Sequence, residues 1–310
     1  MAASPRVSVI VPTYNRAGLL ARALQSVLAQ SWTDFEVLVV DNGSTDETPS
    51  IASTFTDARI RWLRVETRGA SAARNAAISE ARGVWVAFLD DDDEWYPAFL
   101  EQQFAAADAS GAVVVCCSAV EETAAGTRWE HAPPAGAQPG LDAMTRGWHP
   151  FIGCVMVRRD ALVAAGGFVT SLAVREDWHL LLRLALTVPF AATPEPLMVR
   201  HHHRGPRLGG NADAALMADR VLDRDFGAAI RRRAGSGAYA RWYRWHCGED
   251  EIQRMWREAP SRGRRAAAAA LLPMARRLPW SAVSMARPAA VLVLGPLAYG
   301  RLRTARNGLE

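Results

Sequence analysis

The chain contains no lysine: all 36 of its basic residues are arginine, a usage that assigns no function by itself. It holds only four cysteines, Cys116, Cys117, Cys154 and Cys247, and their spacing matches no metal site. Cys116 and Cys117 lie in an apolar run and read as core thiols, which points to a reducing compartment. No apolar secretory core follows the first residues. The longest late apolar run, Ala289 to Tyr299, is interrupted by Gly295 and Pro296 and falls short of the ~20 residues a membrane-spanning helix needs. These absences predict a cytoplasmic protein, soluble or held peripherally at the inner face of a membrane. There is also no internal repeat, no Ser-His-Asp arrangement and no glycine-rich phosphate loop.

What is present bounds the answer further. With 310 residues, half of them hydrophobic, the chain can build one large domain or two smaller ones around a substantial core. Charge is unevenly placed. Residues 257–310 hold ten Arg and two Glu, a local sum of +8, so the remainder carries −4 against a total of +4. The basic character therefore belongs to a tail.

The stretch Val84-Trp85-Val86-Ala87-Phe88-Leu89-Asp90-Asp91-Asp92-Asp93-Glu94-Trp95 organises the rest. It reads as a buried strand that runs into an acidic cluster. Crowded carboxylates repel, and each loses hydration beside a packed edge. A polar loop that merely ends the strand is one reading. A site for a hard divalent cation, with a phosphorylated ligand adding oxygens, is the other. Ligands of open α/β sheets bind beyond the carboxyl ends of the strands, where these acids lie.

Taken in order, Val7 to Val11 reads as a buried strand ended by Pro12, with Asn15 placed to cap a helix through Leu28. A second strand, Phe35 to Asp41, ends in an acid, and Asn42 to Asp46 forms a turn with a helix cap. Ile60 to Val65 is a third strand, Ala70 to Ala77 a helix with Arg74 and Asn75, and the acidic stretch carries the fourth strand. A helix from about Pro97 to Ala109 leads to a strand over Ala112 to Val120. Such alternation implies a doubly wound, mostly parallel α/β sheet with Asp41 and Asp90 at one edge. Residues 121–150, rich in Gly, Pro and Ala, read as a loop or excursion. Gly166-Gly167-Phe168 is a turn, and Arg175-Glu176-Asp177-Trp178 opens a helix. There the two acids also suit the helix dipole as a plain structural cap. Leu197 to His203 reads as a strand, and 211–259 as helical with Trp242, Tyr243, Trp245 and Trp256 packing.

Five motifs stand in one order: Val7 to Arg16, Val39 to Asp46, Gly69 to Asn75, Phe88 to Trp95, and Gly166-Gly167-Phe168 with Glu176-Asp177. Together they resemble the family 2 glycosyltransferases of GT-A fold, over residues 5–190. The resemblance implies a nucleotide-diphospho-sugar transferase fold with a C-terminal helical extension. Residues 1–120 would form the nucleotide-sugar-binding half, 121–210 the acceptor-binding half, and 211–310 a helical, Arg-rich region. It also implies inverting transfer of a sugar to an acceptor hydroxyl with Mg²⁺ or Mn²⁺, in assembly of cell-surface polysaccharide or glycolipid. One departure is visible: Asn42 stands where the family often has a second acid.

By that resemblance, Asp90 and Asp92 form the metal site, with Asp92 the direct ligand and Asp90 touching the ribose or the metal's water shell. Pro12, Thr13, Tyr14, Asp41, Arg74, Asp90 and Asp91 would bind the nucleotide. Asp41 would accept from the base ring, and Tyr14 would form a nucleobase wall. Core packing for Tyr14 and an exposed helix position for Arg74 are the plainer readings. Asp93 would reach the donor sugar or serve as a loop acid or cap. Asp177 is the candidate base, with Glu176 positioning it or hydrogen-bonding the acceptor, and the neighbouring carboxylate pushing its pKa up. His201, His202 and His203 cannot easily chelate one ion, because neighbours on a strand point to opposite faces. One of them near the diphosphate, or surface placement, remains. Arg262 to Arg306 suits either a solvated helical face or an anionic membrane surface where lipid-linked acceptors reside. The tail lacks a nucleic-acid reading motif, so nucleic acid is not expected as a partner. Two other functions stay open. A nucleotidyltransferase making nucleotide sugars would need a basic, glycine-rich loop where Pro12 to Arg16 stands. A non-catalytic binding module would not need Glu176-Asp177.

Overall fold

The computed structural model describes residues 4–66, 69–202 and 212–244. The chain divides into two compact units, residues 1–208 and residues 209–310.

Among the described residues, the first unit is built on nine strands. Strand β1 (Val7–Thr13) lies between β2 (Phe35–Asp41) and β4 (Trp85–Phe88), and β3 (Ile60–Arg64) lies outside β2; all three pairings are parallel. Parallel strands are covered on both faces, which explains their nearly unbroken apolar sequence. Val7, Val9 and Val11 pack with Leu20, Ala23, Leu24 and Val27 of α1 (Ala17–Leu28) and with Phe99 and Phe104 of α4 (Phe99–Ser110). Helix α3 (Ala70–Glu80) packs on β1 and β2.

Beyond β4 the pairing is mixed. Strand β8 (Val155–Arg158) is antiparallel to β4 and to β6 (Val114–Thr123). Strand β9 (Phe190–His202) runs parallel to β6 and antiparallel to the two-residue β5 (Glu94–Trp95). The sheet order is β3-β2-β1-β4-β8-β6-β9-β5, with β7 (Arg128–His131) on β6. The expected doubly wound sheet is thus present, and its parallel character is confined to β3-β2-β1-β4 and the β6–β9 pair.

Three local readings need correction. Residues 121–150 are not one excursion: β6 continues to Thr123, β7 forms a hairpin with it, and α5 spans Leu141–Thr145. Strand β9 begins at Phe190 rather than near Leu197, despite Pro194 and Pro196, and its ladder with β6 is irregular around Ser118. Asn15 does not cap α1. It adopts φ 53°, and its Oδ1 accepts from the backbone N–H of Thr45 at 2.8 Å and Asp46 at 3.3 Å. The asparagine side chain joins two loops at the strand ends instead, a local alternative open to short polar side chains.

Two further helices, α2 (Thr48–Ile51) and α6 (Arg159–Ala164), are short; α7 spans Glu176–Ala185. In the second unit α8 (Ala212–Tyr243) is interrupted by non-helical Gly235, and Trp242 is buried as expected of a packing residue. His203, Trp245, Trp256, Cys247 and Arg262 to Arg306 lie outside the described residues. No helix among the described residues is long and apolar enough to cross a membrane.

Candidate active site

Parallel registry assembles the first part of the site. Thr13 at the end of β1 is level with Asp41 at the end of β2, and Ile10 is level with Phe88, two residues before Asp90. The carboxyl ends of β1, β2 and β4 therefore meet at one edge. Asp41 is buried and its Oδ1 accepts from the backbone N–H of Ser44 at 2.8 Å. Tyr14 is 50% exposed, so it is not a core residue. Asn42 donates its backbone N–H to the Thr13 carbonyl at 2.9 Å, which binds the two loops together.

The four acids split into two inward and two outward groups. Asp91 and Asp93 are buried, at 7% and 4% exposure. Asp90 and Asp92 keep side-chain exposures of 38% and 20%. Asp91 accepts from the Thr13 hydroxyl at 2.7 Å. Burial pushes its pKa up to about 7, against that hydrogen bond and with help from Asp92. Burial, then Asp92 and Asp90, likewise hold Asp93 well above the usual carboxylate range. Asp93 accepts from the backbone N–H of His201 at 3.1 Å, so it is neither a solvated loop acid nor a helix cap. Trp95 closes the loop: its ring stacks on Phe99 at 3.9 Å and its indole N–H donates to the Gly153 carbonyl at 2.7 Å.

Arg74 joins this loop to the acids of α7. Its guanidinium donates to Asp90 at 2.7 Å and to Glu176 at 2.9 Å. It is only 4% exposed, which removes the surface-helix reading. Burial works against its charge, yet the carboxylates of Asp90 and Glu176 outweigh burial and hold its pKa up. Asp177 sits beside this pair. Burial raises its pKa to about 7, the Glu176 charge adds to the rise, and Arg74 opposes it. The α7 start is fixed from α3 as well. The Asn75 amide donates to the Phe168 carbonyl and accepts from the Phe168 N–H, both at 2.8 Å. Gly167 just before has φ 64°, and a Cβ there would lie 2.5 Å from the Asn75 oxygen. Only glycine meets both demands.

Residues from five separate stretches thus meet. Pro12 does not end β1 as expected: it is paired within the strand, level with Val40, and Thr13 is the last residue. Asp90 reaches Glu176, with Asp177 next to it in the chain, through one arginine. The family model for glycosyl transferase family 2 matches residues 8–164, half of the chain. The chain belongs to this family.

Among curated relatives of this chain, the Escherichia coli UDP-Glc:alpha-D-GlcNAc-diphosphoundecaprenol beta-1,3-glucosyltransferase WfgD is 41% identical over 100 residues, 32% of this chain and 40% of that protein. Curated relatives with higher or similar identity are matched over only 16% to 31% of their own length. Staphylococcus aureus TarS 1-349 in complex with UDP superposes with a TM-score of 0.64 at 20% identity, covering 81% of this chain and 78% of that one. The mannosyltransferase PcManGT of Pyrobaculum calidifontis, in complex with GDP-Man and Mn2+, gives 0.56 at 24% identity over 95% and 88%. At these identities the likeness is one of fold, and it agrees with the GT-A arrangement described above.

The histidines behave as strand geometry requires. His201 Nε2 lies 2.6 Å from Glu94, whereas His202 Nε2 lies 2.7 Å from Glu121. Among the described residues no group of three or more His, Cys, Asp or Glu side chains is gathered to hold an ion. Asp90 and Asp92 nevertheless fit Mg²⁺ or Mn²⁺ chemically. Both are hard oxygen donors that reach the surface, and such ions keep waters and phosphate oxygens as their remaining ligands. Sequence reading missed Arg16, 3.8 Å from Asp92, and Arg22, which donates to the Asp92 carbonyl at 3.0 Å and pairs with Glu94 at 3.0 Å. Arg22 carries no local signal, since its partners lie some seventy residues away.

Proposed function

We propose that the protein is an inverting glycosyltransferase that moves a sugar from a nucleoside-diphosphate sugar to an acceptor hydroxyl, with Asp177 as the base. The observation that carries this reading is the single buried guanidinium of Arg74 between Asp90 and Glu176. It makes the acidic loop and the base helix parts of one site.

Donor recognition falls to the first half, residues 1–120. Tyr14 offers an exposed ring face to the nucleobase, and Asp41 accepts a ring N–H through the oxygen not bonded to Ser44. Thr13 ends β1 and holds buried Asp91 in place, and Pro12 stands beside it on the last paired stretch of the strand, next to the nucleobase. Asp90 and Asp92 would hold Mg²⁺ or Mn²⁺, which when bound neutralises charge on the departing diphosphate. Residues 121–210 supply the acceptor side. There the hydroxyl oxygen forms a bond to the anomeric carbon from the face opposite the diphosphate. The bond to the diphosphate breaks, its electron pair leaves with the nucleotide, and the hydroxyl proton passes to Asp177. A base with a pKa near the working pH is well matched to that transfer. Glu176 raises the basicity of Asp177 and keeps Arg74 from neutralising it fully. Retaining double displacement would demand a carboxylate nucleophile, whereas one base suffices here.

A lipid-linked or saccharide acceptor in cell-surface polysaccharide assembly is the best-supported pathway class, since WfgD carries such an acceptor in its name. Asp177→Asn should abolish transfer and donor hydrolysis while UDP- or GDP-sugar affinity stays within about twofold. Equal turnover by that variant refutes the assignment, and pyrophosphate release from nucleoside triphosphate and sugar phosphate would establish a nucleotidyltransferase instead. Peripheral attachment to an anionic membrane through Arg262 to Arg306 is the accompanying proposal. Deleting that segment should release the protein from the membrane fraction, and unchanged fractionation sinks it.

A further inference from the structure

Resting on the transferase reading, we propose that the face of β6, β7 and β9 carrying Trp129, Glu121 and His202 is a saccharide subsite. It takes a sugar ring of the acceptor remote from the hydroxyl that reacts.

Trp129 sits on the hairpin strand β7 and is 43% exposed. An exposed indole is ordinary when it is loose, but this one is held. Its N–H donates to Glu121 Oε1 at 3.1 Å. Glu121 is itself buried, and its Oε2 meets His202 Nε2 at 2.7 Å and Arg200 at 3.3 Å. The His202 ring leans on the indole at 5.2 Å. Trp129, Glu121 and Arg200 are direct cross-strand partners, so they share one face of the sheet.

That face leads to the base. The Arg200 guanidinium lies over Phe151 at 4.3 Å, and Phe151 stacks on His131 at 4.4 Å. His131 meets the His149 carbonyl at 2.8 Å, and the His149 ring stacks at 4.4 Å on Trp178, the residue after Asp177. Burial drives the His149 pKa down to about 3, so this stack is between neutral rings at working pH. Ring side chains therefore run from the hairpin towards the proposed base, linked once through the His149 main-chain carbonyl and with the His149 ring buried beneath the surface.

A fixed aromatic plane ringed by carboxylate, imidazole and guanidinium matches a pyranose: apolar C–H groups on one face, hydroxyls at its rim. The acidic and basic groups balance, which suits a neutral sugar better than a phosphate. An acceptor of more than one sugar would reach from Asp177 onto Trp129.

Saturation-transfer difference NMR on the full chain tests this with chitotriose, cellotriose, maltotriose and mannotriose as probes. At least one trisaccharide should bind. Trp129→Ala and Trp129→Leu should weaken it about fivefold or more, and Trp129→Phe by less than about twofold. The leucine variant keeps apolar area without the aromatic plane, and melting temperatures identify any variant that unfolds. No binding by any probe, or equal binding by folded Trp129→Leu, overturns the subsite and shows a purely structural indole. Donor hydrolysis by the wild type is read separately. Trisaccharide binding without hydrolysis of any nucleotide sugar refutes the transferase reading and leaves the subsite standing.

Discussion

Two substitutions should move the ionisation of Asp177 in opposite directions. Glu176 raises the Asp177 pKa and Arg74 lowers it, around a folded value of about 7. A unit charge roughly 6 Å away acts with about 3 kcal/mol at an effective dielectric near 20. Partial neutralisation within the Arg74 cluster leaves about 1.4 kcal/mol, or about one pKa unit, for each partner. Glu176→Gln should therefore move the acid limb of the donor-hydrolysis profile down to about pH 6, and Arg74→Met should move it up to about pH 8. The sign follows from the role of the group. A base works deprotonated, so rate rises with pH through its pKa. Arg74→Met carries a second signature. It leaves Glu176 without its cation at 12% exposure, whereas Asp90, 38% exposed, is screened by water. Loss of one partner from a mostly buried pair costs about 2–4 kcal/mol, or roughly 5–15 °C in Tm for a unit of this size. The assay is kcat/KM for hydrolysis of UDP-glucose, UDP-GlcNAc or GDP-mannose from pH 5 to 9, with a thermal melt of each variant. Limbs that shift the same way, or that both stay within about 0.3 units of wild type, refute the coupling.

Other outcomes follow from the donor side. Tyr14→Ala should weaken UDP or GDP binding by about tenfold in calorimetry, the scale of one base–aromatic contact, without changing the Tm. A chelator should suppress donor hydrolysis and Mn²⁺ or Mg²⁺ should restore it; Asp92→Asn should require a higher metal concentration, and full activity in chelator removes the metal from the reading.

Much of the fold was legible because parallel strands buried on both faces leave nearly unbroken apolar runs, as in Val7 to Val11 and Phe35 to Val40, where the only polar residues, Ser8 and Glu36, bond to each other. The acids at their ends were legible for the same reason. What escaped was decided by tertiary pairing. The hairpin at Arg128–His131 is polar and short, and its β propensity is set by the neighbouring β6 rather than by its own residues. Pro194 and Pro196 masked the start of β9, because proline signals a break unless an irregular ladder accommodates it. Arg74 was visible as a charged residue on a helix. Its two partners, 16 and 102 residues away, could only be found in space.

Asn75 grips main-chain atoms alone at Phe168, whatever side chains follow. Exposed Thr170, Ser171 and Ala173 come after that grip and before Asp177. Their identities can drift without shifting Asp177, so under the proposed function the alcohol side of the site could change while the proposed base stays where it stands.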